Sequence, residues 1–139
     1  MKIGRDGRRL VLLATASVAA FVTADAIYRQ AIIPRLPGWQ SVPWGWWLLD
    51  MAPLILVVAC AGLLCTATIK IPVYSLAIVI PPTLLEAARG LTGAPVTHDT
   101  WVTDPGYWVA VGLRLLLFMV VVAVIHGATS GLKDAAGGT

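Results

Sequence analysis

Residues 107–128 read YWVAVGLRLLLFMVVVAVIHGA, an apolar stretch holding no acid and only Arg114 and His126 as basic groups. About 20 apolar residues in helical conformation cross the roughly 30 Å hydrocarbon core of a bilayer. Three further stretches meet the same requirement: 10–28, 46–68 and 72–91. Continuous helix is the economical conformation for each, because unpaired backbone groups are costly in hydrocarbon and the runs lack the alternation of a barrel strand. The sequence therefore predicts an all-α, polytopic membrane protein, a bundle of four transmembrane helices forming a single domain over 1–139. Pro72 sits where a helix start tolerates its missing N–H. Pro81-Pro82 in mid-span predicts a kink or break in the third helix, freeing carbonyls around Ala77 and Val79.

Composition agrees. Of the 139 residues, 58% are hydrophobic and 12% charged, against about a quarter charged in ordinary soluble domains. Too few polar residues remain to cover a soluble core, and the mean hydropathy of +0.83 points to lipid as the surrounding medium. The formal charge of +3 does not indicate nucleic acid, because Lys2, Arg5, Arg8 and Arg9 cluster ahead of the first apolar run and form no stripe interleaved with aromatics.

Such a flank is the mark of a cytoplasmic loop or terminus. A short turn around Ile69–Ile71 makes the second and third helices an antiparallel hairpin. The longer connections, 29–45 and 92–106, then share one side of the membrane, and the termini share the other with the turn. The terminal side carries Lys2, Arg5, Arg8, Arg9, Lys70 and Lys133 against Asp6 and Asp134. The loop side carries Arg29, Arg35, Arg89 and Arg114 against Asp25, Asp50, Glu86, Asp99 and Asp104. The expected arrangement is multi-pass in the cell (inner) membrane with both termini cytoplasmic. Leu10–Val22 followed by Ala24-Asp25-Ala26 also has the outline of a cleavable signal peptide. Asp25 suits such a site poorly and the apolar run continues through Ile27, so an uncleaved first span is expected.

The polar residues of the spans gather toward the loop side. On rise per residue, Asp25 lies about 5 Å from the end of its span, Asp50 about 6 Å, Glu86 about 8 Å and Arg114 about 10 Å. Arg29 follows Asp25 by four residues and Arg89 follows Glu86 by three, so each pair shares a helical face. A charge at the centre of a span costs roughly 2.5–3.5 kcal/mol, less near the interface. Turned inward, these six residues form an ion-pair cluster or a binding site, with Asp50 or Glu86 as the expected partner of Arg114. The opposite halves of the spans hold no Asp, Glu, Lys or Arg.

All six tryptophans, Trp39, Trp44, Trp46, Trp47, Trp101 and Trp108, lie in or beside the longer loops. Indole favours the headgroup level, so they read as interface anchors, with Pro43–Trp47 as a possible re-entrant or surface-lying segment. Small residues at four-residue spacing, Ala16, Ala20 and Ala24, and again Gly127 and Gly131, permit close helix contact.

Chemistry-bearing motifs are missing. Cys60 and Cys65 fall on different helical faces, so neither a disulfide nor a shared metal is expected. His98 and His126 are separated by the thickness of the membrane, which excludes a bis-His haem within one chain. His98, Asp99 and Asp104 are a loop group with at most weak cation affinity. Ser41, Ser75 and Thr83 have no base at suggestive spacing, and no phosphate loop, zinc-protease or nucleophile-elbow motif occurs. No cofactor, metal or enzymatic activity is expected. The expected partners are the bilayer and other membrane subunits or further copies of the chain. The reading that follows is a small subunit or accessory protein of a larger membrane complex. Its alternatives are a small transporter or channel with an outward-facing charged pocket, and a phage-type pore-forming lysis protein.

Overall fold

The computed structural model describes residues 4–27, 30–31, 35, 43–91 and 105–138, with backbone alone at 43–53 and 89–91. Four helices follow in order: α1 (Arg5–Ile27), α2 (Pro43–Leu64), α3 (Ile71–Leu91) and α4 (Pro105–Gly137). Among the described residues there is no strand. By length and composition α1, α4 and the stretch Thr68–Ala88 are each able to cross a membrane, and Leu54–Leu64 of α2 is a shorter apolar helix. The chain is an all-α bundle built for a membrane.

Several boundaries differ from the expected spans, each for a physical reason. α1 begins at Arg5 rather than Leu10, since a helix need not stop where its apolar stretch does. Asp6 in its first turn offsets the unfavourable placing of Arg5, Arg8 and Arg9 near the positive end of the helix dipole. α2 begins at Pro43, a residue suited to the first helical position, so Pro43–Trp47 is the opening of α2 and not a separate surface segment. α2 ends at Leu64, short of Thr68. Cys65 Nα still donates to the Ala61 carbonyl at 2.9 Å, but Ala67 is extended (φ −153°, ψ 144°) and one 3-10 turn, Thr68–Lys70, leads into α3.

α4 runs for 33 residues, about 50 Å, and is the largest departure. The residues after Ala128, beyond the expected span, continue this helix, closed by the Gly138 N–H bonding to the Asp134 carbonyl at 3.1 Å.

α3 passes through Pro81 and Pro82 as one helix. The carbonyls left without a backbone donor by these rings are those of Ala77 and Ile78, one turn back. The Val79 carbonyl instead accepts the Thr83 hydroxyl at 2.7 Å. Other span hydroxyls are met in the same way: Thr15 donates to Val11 and Ser17 to Ala14, both at 2.8 Å. In hydrocarbon, such local bonds spare a polar group the cost of standing alone.

α1 and α4 each pack against both α2 and α3. The middle of the bundle is filled by Leu13, Leu54, Val58, Ile78, Phe118 and Val122. Their opposites face outward: Leu56, Leu84, Leu116 and Val124 are all exposed. An apolar surface around an apolar core suits lipid, where burial alone does not set one helix face against another. Ala16 and Ala20 of α1 pack on the core, as their spacing predicts. Gly127 and Gly131 do not: a side chain at either would meet nothing within 4 Å. The close approach occurs at Gly62, where an added Cβ would stand 2.6 Å from the Cβ and Cγ2 of Ile125 on α4.

Candidate functional site

Of the six residues expected to cluster at the loop end of the bundle, the structure describes the side chains of Asp25, Glu86 and Arg114. Arg114 on α4 is 6% exposed, a buried charge. Two turns earlier on the same helix, Tyr107 donates its hydroxyl to Glu86 Oε2 on α3 at 2.7 Å. This bond ties α3 to α4 and satisfies a half-buried carboxylate. Asp25 is half-buried near the end of α1, and neither Asp25 nor Arg114 is free of interaction.

For the remaining expected members, Asp50 and Arg89 have described backbone in α2 and α3, but their side chains lie outside the described residues, as does all of Arg29. The structure thus joins Glu86 to Tyr107, which the sequence marks only as the edge of a span. Of the tryptophans, Trp108 is half exposed and meets Tyr107 edge to face, with ring centroids 5.3 Å apart and planes at 81°. Trp44, Trp46 and Trp47 fall on the backbone of the first turns of α2. Trp39 and Trp101 lie outside the described residues.

A second polar assembly stands at the terminal end. Lys70 Nζ donates to Asp6 Oδ2 at 2.5 Å and to Thr66 Oγ1 at 3.2 Å. Asp6 Oδ1 also lies 3.9 Å from Arg9. Arg9 donates to the Leu64 carbonyl at 3.2 Å, satisfying one of the acceptors orphaned where α2 ends. These residues fasten α1 to the α2–α3 turn. The sequence offered two signals for them: Asp6 and Arg9 at i,i+3 on one helix, and Lys70 as the lone charge in a short turn.

Between these ends, α3 carries Tyr74 and Ser75 into the core at 1% and 0% exposure. The Tyr74 hydroxyl and Ser75 Oγ have no hydrogen-bond partner among the described residues. From Ser75 to Thr83, about 12 Å along the axis, the interior is Ile78, Val79, Leu54 and Phe118.

Cys60 is exposed and Cys65 buried, both as free thiols. Cys65 Sγ donates weakly to the Ala67 carbonyl at 3.2 Å, a local contact of the turn. No group of three or more His, Cys, Asp or Glu residues stands together among the described residues. No family model matches the sequence, and comparison with curated proteins and with solved structures finds no match in either.

Proposed function

We propose that this chain is a small integral membrane subunit or accessory component of a larger membrane assembly, without chemistry of its own. The observation that carries this reading is the filled middle of the bundle. Leu54, Val58, Ile78 and Val122 are at most 1% exposed there, and Phe118 is 2% exposed. Among the described residues, a bundle packed in this way has its charged groups toward its ends and presents a largely apolar face to its surroundings. Its work is then done by contact. The basic residues ahead of α1 favour placement in the cell inner membrane with cytoplasmic termini, and the tryptophans near the loops favour a partner on the opposite face. Purification of the tagged protein from its native host in nanodiscs, followed by mass spectrometry, tests the proposal. A stoichiometric membrane partner is the expected result. A homo-oligomer lacking any partner would overturn it.

One observation favours a second reading, a small transporter or channel. Arg114 is buried on α4, two turns along the helix from the Tyr107 that bonds Glu86, and intramembrane charge marks solute paths in many membrane proteins. On that reading purified protein alone moves solute in liposomes, and Glu86→Gln abolishes the flux.

A further inference from the structure

We propose that the terminal end of the bundle binds a phosphodiester-class anion in a cleft between α1, the end of α2 and the extension of α4. The cleft has a volume of about 300 Å³. Arg9 of α1 and Thr66 of the turn form one wall, while His126, Ser130, Lys133 and Asp134 of α4 form the other. The α4 residues recur at i, i+4, i+7 and i+8, so one face of that helix turns its polar groups to the cleft. Ser130, Lys133 and Asp134 belong to the part of α4 that continues past the expected span. Extension of a helix beyond the apolar stretch has a consequence here: it supplies the second wall.

The groups are set for an anion. Arg9 is held by its bond to the Leu64 carbonyl, which uses one of five guanidinium N–H donors and leaves others to aim at a ligand. The Thr66 oxygen accepts from Lys70, so its own O–H is available to donate. The charge of Lys70 is met by Asp6 and adds little. Arg9 and Lys133 bring two positive charges and Asp134 one negative, and His126 offers a ring N–H. A net charge near +1 matches the single charge of a phosphodiester better than a doubly charged phosphomonoester. The cleft opens where α2 ends and α3 begins, the level of lipid headgroups, and a basic residue there contributes about 1 kcal/mol toward anionic lipid.

The chemistry is that of a phosphate group, supplied by a lipid or by a soluble phosphate compound. The experiment is native mass spectrometry of the detergent-solubilised full chain with equimolar phosphatidylglycerol and phosphatidylcholine, and separately with inorganic phosphate. Preferential retention of phosphatidylglycerol is expected. Lys133→Gln, on the exposed part of α4, should weaken retention about 5-fold, and Asp134→Asn should strengthen it by a similar factor. The opposite signs separate a binding effect from a folding defect. Binding of inorganic phosphate without lipid preference, with the same two responses, would sustain the site and assign it a soluble ligand. Equal retention of both lipids together with no binding of inorganic phosphate, or indifference to both substitutions, would overturn it.

Discussion

At the loop end of the bundle Arg114 is 6% exposed and Glu86 is tied across helices by Tyr107. At the terminal end Lys70 and Asp6 make a tighter contact, 2.5 Å, yet their side chains keep 36% and 48% of their surface exposed. Contact length and structural weight therefore need not rise together. A buried charge has surrendered its hydration, so its partners must replace that hydration, and removing it strands them. A rim pair remains hydrated and loses little when broken. The largest expected effect accordingly belongs to Arg114. Arg114→Ala should lower unfolding free energy by about 3 kcal/mol, read as an earlier midpoint in an SDS titration of the reconstituted protein. Arg114→Lys should recover part of it, because the charge is kept while the planar donor fork is lost. A loss no larger than that of a rim substitution would show that Arg114 is not a structural tie.

Next in size comes the packed middle that joins the two ends. At Gly62 α2 and α4 approach closely, and Gly62→Ala places a Cβ 2.6 Å from the Ile125 Cβ and Cγ2. Neither atom is the free end of a flexible chain, so the helices must part. Overpacking of this kind costs typically 1–3 kcal/mol, and about 2 kcal/mol is expected in the same titration. Ile125→Ala removes Cγ2 and keeps Cβ, so it should rescue Gly62→Ala only in part. Full rescue would place the clash on Cγ2 alone, and no loss at all would mean that α2 and α4 are not held in contact.

The four helices were legible because each apolar run matches the thickness of a bilayer. Their ends were not, because hydrophobic length reports the hydrocarbon a helix crosses and is silent about helix continuing into water. Arg5–Arg9 and the α4 residues after Ala128 are both helical for that reason. Burial of Arg114 followed from the cost of exposing charge to lipid, and the inward position of Glu86 from the same argument. Tyr107 escaped notice as the partner of Glu86, since a tyrosine at a span edge reads first as an anchor. Spacing of small residues matches contact within the bundle for Ala16 and Ala20, while Gly127 and Gly131 have open space beside them in the single chain. A periodic pattern identifies a face but does not tell which neighbour, if any, meets it. The terminal network is hidden in the sequence because Asp6, Arg9 and Lys70 fit equally well the charge bias that orients a membrane protein.

The smallest effect is expected at Lys70, and it is the one that most sharpens the difference between the ends. Lys70→Gln removes the charge that meets Asp6 but leaves a side chain still able to donate to a carboxylate. Asp6 also has Arg9 at 3.9 Å on its own helix, so the acid changes its principal partner and does not lose one. Water reaches both members of the original pair, and salt screens what remains of their attraction. The SDS midpoint of Lys70→Gln should therefore match that of the unaltered protein at 0.15 M salt (roughly physiological), with any difference confined to low ionic strength. A drop as large as that of Gly62→Ala would mean the α1-to-turn fastening bears on the fold as heavily as the packed middle. The terminal end would then be a structural clamp, and the Arg9 side of the neighbouring cleft would owe its position to the Lys70–Asp6 pair.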